Sequence, residues 1–262
     1  MISINQTASL LDVAELRSQY IQSIGGRPEM FLEELVGYAA NIYIIAYDDE
    51  VVGYFCASPK RTLLQFYVVD DVLPRLQEIF SEMLSRGHIE KALVLTRDRV
   101  ALAVCMDFVK EVAVDSYLFE EGEQIPTVTL DITEPVFRVA TLSDAPAIRA
   151  ACGDFHDFLH YTLEGSIATG DIFVLLSGES VLGTGVIGSK EFQHPYVDIG
   201  MCVNEVYRKK NVGTYMLTKL REECHRQGWI PGASCKSGNV ASRKTLEKAG
   251  MISKDRLLRV IF

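Results

Sequence analysis

No apolar run in this sequence approaches ~18 residues, the length a membrane-crossing helix needs. The opening MISINQTASL also lacks the basic patch and apolar stretch of a signal peptide. A cytoplasmic protein with no membrane partner is therefore expected. The six cysteines form no CxxC and no Cys/His cluster, and most sit inside apolar runs. They read as buried, reduced thiols, which sets aside a disulfide framework and a zinc site. Lys and Arg are scarce for a nucleic-acid binder: 26 against 35 Asp and Glu, a net charge of -9. Binding to nucleic acid by counterion replacement needs the opposite balance.

What is present is a chain of 262 residues, enough for one large or two ordinary domains, with 48 % apolar content to supply a buried core. Charge is divided unevenly along it. Residues 1–130 carry 10 basic and 20 acidic side chains, and residues 131–262 carry 16 and 15. The second half has one dense basic spot, Arg208, Lys209 and Lys210. An anionic ligand belongs there.

The polar stretch FEEGEQIP at 119–126 separates two halves, 1–126 and 127–262. In the second, FRVATL alternates like a strand, Ser143 caps a helix over DAPAIRA, and FHDFLHYTLEGSI continues as helix. DIFVLLSG and SVLGTGVIG form a hairpin about Gly178 and Glu179. YVDIGMCV, IPGASCK and LLRVIF read as strands, with helices over NVGTYMLTKLREECHRQG and NVASRKTLEKAG. The order is β-α-α-β-β-β-α-β-α-β. The first half repeats it from the helical LLDVAELRSQYI and MFLEELVGYAA through NIYIIAY, VVGYFCA and LLQFYVV to VAVDSYLF. Val68 matches Val203 at an offset of 135, the mark of a divergent tandem repeat.

YRKKNVGTYM at 207–216 has the form of a phosphate-cradling turn that opens a helix. Helix N-termini attract anions because their first N–H groups lack helical partners and the dipole is positive there. Gly213 allows close backbone approach, and Asn211 is the non-glycine residue that best tolerates a left-handed conformation. Val212, Met216, Leu220 and Cys224, four apart, form the stripe that fixes the helix to a sheet. An ordinary β-turn-α connection solvated by its lysines has the same spacing. The repeat separates the two readings, because the first half has VVDDVLPRL here, with Asp70 and Asp71 in place of the basic run. A second motif follows in GNVASRKTLEKAGM, with Asn239 at a helix N-cap and Gly250 at its stop.

The strand, the turn CVNEVYRKKNVGT and then NVASRKTLEKAGM together resemble the GNAT superfamily of acyl-CoA-dependent N-acyltransferases. Both motifs support this over 137–262, and element order alone supports it over the first half. YRKKNVG, NVAS and LEKAG look like the branch related to glycine N-acyltransferases, which carries a degenerate GNAT half in front of the active one. The resemblance implies an α/β (α+β mixed sheet) class, with tandem folds that each place helices around a mixed, mostly antiparallel sheet. It implies acetyl-CoA as donor and no metal. The pantetheine arm would lie in a gap between the fourth and fifth strands, along Met201, Cys202 and Val203. The turn formed by Arg208, Lys209, Lys210, Asn211, Val212, Gly213 and Thr214 would take the pyrophosphate. Asn239 would reach the arm from the other side, with Ser242 nearby.

The implied reaction is attack of an amine on the thioester carbonyl, with the backbone N–H of Cys202 or Val203 holding the oxyanion. Asp198 stands near the position where many relatives carry a glutamate and is the candidate general base. A one-residue register error would turn it away, and Glu191 and His194 are the next candidates. Many relatives protonate the leaving thiolate with a tyrosine; Leu246 occupies that position here. Cys202 and Cys235 read as packing residues. The expected activity is N-acetyl transfer to a small-molecule amine, with the acidic first half helping to wall the acceptor site and favouring a cationic acceptor. Leu246 keeps open a non-catalytic acyl-CoA-binding protein, and a tandem transferase with a different acyl donor also remains open.

Overall fold

Stretches rich in β-branched and aromatic residues, bounded by turn formers, become strands along the whole chain. A computed structural model describes residues 1–25, 28–158, 161–188 and 194–262. In chain order the first part contains β1 (Ile2–Thr7), α1 (Ala14–Ser23), α2 (Met30–Ala39), β2 (Asn41–Tyr47), β3 (Glu50–Ala57), β4 (Thr62–Val68), α3 (Leu76–Ser85), β5 (Lys91–Leu95), α4 (Arg99–Asp107) and β6 (Glu111–Glu121). The second contains β7 (Val136–Val139), α5 (Ala145–Cys152), α6 (Leu163–Ala168), β8 (Ile172–Ser177), β9 (Ser180–Gly188), β10 (Tyr196–Val203), α7 (Val212–Arg226), β11 (Ile230–Lys236), α8 (Val240–Lys248) and β12 (Met251–Ile261). Among the described residues, no helix is long and apolar enough to cross a membrane.

The chain forms two compact units, Met1–Tyr117 with Asp255–Phe262, and Leu118–Lys254. These differ from halves divided at 126 in two ways. The passage into the second unit falls inside β6. The last eight residues return to the first unit, because 257–261 of β12 pair antiparallel with β5. In the first unit the strands run in the order β1-β2-β3-β4-β5-β12, and in the second β11-β10-β9-β8-β7. The β4–β5 and β10–β11 pairs are parallel and the other pairs antiparallel. Each unit is thus a mixed, mostly antiparallel sheet with helices.

Three elements depart from the sequence reading. The strand β1 was not anticipated, since ISINQT offers only Ile2 and Ile4 as an alternating signal; both are buried, and six rungs join it to β2. It is the counterpart of β7 and completes the repeat. The helix over FHDFLHYTLEGSI is reduced to α6: Asp154–Asp157 and Phe158–Tyr161 backbone turns precede it, and residues 159–160 lie outside the described set. The cap of the α5 region is Thr141, not Ser143. Its N–H donates to Asp144 at 2.7 Å in a capping box.

The predicted stripe of α7 is buried along its whole length: Val212, Met216, Leu220 and Cys224 are at most 1 % exposed. Gly185 of β9 is what lets the helix lie so close. A Cβ there would stand 2.7 Å from Leu220 Cδ1 and 3.0 Å from Met216 Sδ. On another side of α7, the fully buried Arg221 bonds Glu121 Oε1 at 3.1 Å and the carbonyl of Ala249 at 2.5 Å. Its other terminal contacts go to the carbonyls of Gly122 and Gln124. One guanidinium therefore ties α7 to the end of α8 and to the polar stretch after β6, each contact a charge-assisted bond.

In the first unit, α2 starts on Glu29, whose carboxylate accepts the Leu32 N–H at 2.7 Å. Burial pushes its pKa up from 4.5 to about 7, and Asp98, the cap of α4, up to about 6. The folded state then holds protons that the unfolded chain has already released, so this stability is complete below the unfolded values and is lost as pH rises through about 7. Urea unfolding should show the first unit about 2 kcal/mol less stable near pH 8 than near pH 5 from Glu29 alone. Glu29→Gln, which keeps the cap acceptor, should remove that part of the slope.

Candidate active site

The last β10–β11 rung joins Asp198 to Gly232, while β10 continues paired to β9 as far as Val203 and Gly183. The two parallel strands therefore part. Between them, in the second unit, opens a cleft of about 840 Å³. Its β10 wall is 199–203, its β11 wall is 233–236, and its ends are closed by the start of α7 and by α8.

The start of α7 is shaped by the backbone of its preceding turn. Asn211 has φ 61° and ψ 6°, the left-handed conformation expected of it, and its side chain does not cap the helix. Lys209 also has positive φ, at 64°. The first α7 bond is from Tyr215 N–H to the Asn211 carbonyl at 2.9 Å, so the N–H groups ahead of it point out of the helix end. Gly213 also has a part in packing. A Cβ at that position would come within 3.0 Å of Thr245 Cγ2 and 3.2 Å of Met201 Sδ and Val203 Cγ2. Its smallness seats α7 against β10 and α8.

Of the residues singled out in the sequence, Met201, Cys202, Val203, Arg208, Lys209, Asn211, Val212, Gly213, Thr214, Asn239 and Ser242 all line this cleft. Lys210 does not; its Nζ lies over the Tyr207 ring, 5.5 Å from the centroid. Asn239 caps α8, its Oδ1 accepting the Ser242 N–H at 3.0 Å, which leaves its amide NH2 for other partners. Leu246 is buried and lines the cleft. Lys236, Lys244 and Lys248 also line it and were not anticipated. Their signal was the four-residue spacing of Lys244 and Lys248, which puts both on the α8 face shared with Ala241 and Thr245.

Met201 and Val203 point toward Gly213 of α7. Strand alternation then puts Asp198, Gly200 and Cys202 on the opposite face. That face meets the turn after α5, where Phe155, 46 % exposed, approaches Gly200 and lines the cleft. Asp198 is half-buried at the point where the strands part, and is not itself part of the cleft wall. His194 is exposed and Glu191 lies outside the described residues.

Among the described residues, the first unit has the same strand order with a far smaller space at the corresponding place. Its β4–β5 ladder also stops early, after Leu63 and Ala92. Tyr20, Leu32, Leu64, Phe66 and Leu95 fill the gap, leaving a space of about 10 Å³. After β4 comes a 3-10 helix that begins with Asp70 and Asp71 and has no left-handed residue.

Residues 9–122 match the family model of an acetyltransferase (GNAT) domain, and residues 141–251 that of the acetyltransferase (GNAT) family. No curated protein matches the chain. Among solved structures it is similar to an acetyltransferase of the GNAT family from Colwellia psychrerythraea, at 22 % identity over 99 % of both chains and a TM-score of 0.85. It is also similar to a tandem GNAT protein from the clavulanic acid biosynthesis pathway, at 12 % identity over 99 % of this chain and 98 % of the other, TM-score 0.65. A GCN5-related N-acetyltransferase from Sphaerobacter thermophilus aligns at 13 % identity over 99 % and 95 % of the two chains, TM-score 0.64. At these identities the structural likeness concerns the fold alone, and none of the matches bears on the glycine N-acyltransferase branch.

The backbone at Asn211 makes a direct prediction. Asn211→Gly should leave thermal stability unchanged or raise it, whereas Asn211→Val should cost about 1–2 kcal/mol, the penalty of a left-handed conformation for an ordinary side chain. Urea or thermal unfolding of the pair checks it.

Proposed function

Because the chain belongs to the GNAT acetyltransferase family, with two such domains in tandem, we propose that the second unit is an acetyl-CoA-dependent N-acetyltransferase for a small-molecule amine. The observation that carries this reading is the parting of β10 and β11 beside a helix start whose turn is left-handed and basic. Beyond Asp198, the cleft-side N–H and C=O groups of β10 have no β11 ladder, and an extended chain of amides such as pantetheine can pair with them as a further strand would. The α7 N-terminus, Arg208 and Lys209 would hold the pyrophosphate. Lys236, Lys244 and Lys248 add positive charge around the same cleft. The donor then enters between α7 and α8, with its thioester at the β10 wall near Cys202.

In this reading the acceptor amine comes from the other face of β10, where Asp198, Gly200 and Phe155 lie. Asp198, directly or through water, takes the proton of the ammonium group; the amine attacks the thioester carbonyl in a ternary complex. The backbone N–H of Cys202 or Val203 receives the oxyanion. The thiolate of CoA leaves without help from Leu246, which has no proton to give. A thiol of ordinary pKa, about 8 to 9, makes that departure feasible. Leu246 also supports a second reading, an acyl-CoA-binding protein without turnover.

Thermal unfolding with and without acetyl-CoA tests the donor site: at about 100-fold its Kd, the ligand should stabilise by about 2.7 kcal/mol. Gly213→Glu is unsuitable as a probe because the added side chain meets three packed neighbours. The exposed pair Arg208→Glu with Lys209→Glu should instead weaken acetyl-CoA binding at least about tenfold, or about 1.4 kcal/mol, with an unchanged Tm. Unchanged affinity would remove the site from this cleft.

Turnover is tested separately, by CoA release across a panel of amines. Asp198→Asn should lower it about 100-fold or more while acetyl-CoA still binds. Binding without release on any amine would leave the non-catalytic reading in possession.

A further inference from the structure

Four of the six cysteines, Cys56, Cys105, Cys224 and Cys235, are buried, and Cys152 and Cys202 are only partly so. The two partly exposed thiols meet. Cys202 lies on the face of β10 turned away from α7, and its Cα partner across the ladder to β9 is Thr184. Directly opposite residues of an antiparallel pair share a face. Cys152 comes to the same place from the last residue of α5. Thr184 Oγ1 donates to Cys152 Sγ at 3.4 Å, and the Cys202 thiol hydrogen-bonds to Cys152 as well.

Packing alone does not account for this arrangement. Burial pushes the packed thiols of Cys56 and Cys105 up to about 12. Cys152 goes the other way. The bond from Cys202 draws it below the ordinary thiol value, against the effect of burial, and bonds from Thr184 and the charge of Arg208 add to the fall. Cys202 is correspondingly held as the protonated partner.

The two thiols are thus hydrogen-bonded to each other, and their neighbours are organised around them. With the Thr184 proton directed at Cys152, the Thr184 oxygen accepts from Nε2 of His156 at 2.7 Å, which makes Nε2 the protonated nitrogen. Burial pushes that imidazole down to about 4, so it is neutral and donates. Cys202 lines the cleft and Cys152 does not.

We propose that Cys152 and Cys202 form a dithiol modification site, which a low-molecular-weight disulfide entering the cleft converts into an intramolecular disulfide. The pair starts as one thiolate and one thiol. With its proton passed to Cys152, the Cys202 thiolate attacks one sulfur of the incoming disulfide; an S–S bond forms to Cys202, and the first small thiolate leaves and takes that proton from Cys152. The Cys152 thiolate then attacks the Cys202 sulfur and expels the second small thiolate. Two protein thiols are oxidised by two electrons and the small disulfide is reduced to two thiols. Either the intermediate or the bridge places a new group on the cleft wall at Cys202. The thiol chemistry is independent of the acyl-CoA reading; the consequence that oxidation blocks acyl-CoA binding rests on it.

The full chain, reduced and freed of small thiols, is incubated with CoA disulfide or with oxidised glutathione. It is then alkylated under denaturing conditions and examined by intact mass and peptide mapping. The expected result is a loss of two hydrogens, reversed by dithiothreitol, with a single link between Cys152 and Cys202 and four alkylated cysteines. Cys152→Ser should stop at one mixed disulfide on Cys202. The absence of the link, or oxidation spread over the other cysteines, overturns the proposal. The wild-type map decides this even if the variant does not fold.

CoA disulfide should react faster than oxidised glutathione if attack occurs inside the cleft; equal rates would overturn entry by that route. Acetyl-CoA affinity of the bridged protein should be at least about tenfold lower than that of the reduced one. A bridge that leaves affinity unchanged defeats the blocking consequence. A reduced protein that binds no acetyl-CoA at all counts against the acyl-CoA reading and leaves the thiol site standing.

Discussion

After the rung between Asp198 and Gly232, β10 and β11 have no further pairing with each other, and the rest of the second unit is arranged around that parting. A parallel pair held together at one end and open at the other leaves unladdered backbone facing a gap. That gap persists because its flanks are held apart by packed elements. The helix α7 is seated on β9 through Gly185 and on β10 through Gly213, where any side chain would collide with its neighbours. Arg221 then joins α7 to the end of α8 through the carbonyl of Ala249, and to the end of β6 through Glu121. A buried cation with this many partners cannot be relocated without leaving a charge and several acceptors unpaired.

The two units show how little is needed to lose such a cleft. Both have a parallel pair that parts early, and both have a helix after the first of the two strands. In the first unit, aromatic and leucine side chains fill the gap, and acidic residues open the following turn. In the second, the small residues Gly200, Ala233 and Ser234 line it instead, and the turn is basic with two left-handed residues. The difference is one of side-chain volume and charge on an equivalent backbone. The first unit's polar groups are spent internally: Gln65 donates to Glu33 at 2.6 Å and accepts from Tyr54 at 3.1 Å.

Much of this was legible in the chain. The apolar, β-branched runs of NIYIIAY and DIFVLLSG, the Gly178-Glu179 turn and the four-residue stripe of α7 are local patterns, and each produced the expected element. Asn211 was legible for the same reason, because a left-handed position is a property of a residue and its immediate neighbours. The departures have non-local causes. The strand β1 has too few apolar residues to announce itself and exists because β2 offers it a ladder. The helical periodicity of FHDFLHYTLEGSI was overridden by burial of His156 against Thr184 of β9, a partner 28 residues away.

By itself, the sequence determined the repeat, the order of elements and the basic turn with its left-handed asparagine. These follow from periodicity, charge and backbone preference, which act over a few neighbouring residues. Only the tertiary structure decided that β12 returns to pair with β5, that Gly213 serves packing, that Lys236, Lys244 and Lys248 join the cleft, and that Cys152 meets Cys202. Each of these depends on which distant segments share a face or a rung. Spacing along a chain does not encode that, because a strand turned by one residue would present the other half of its side chains.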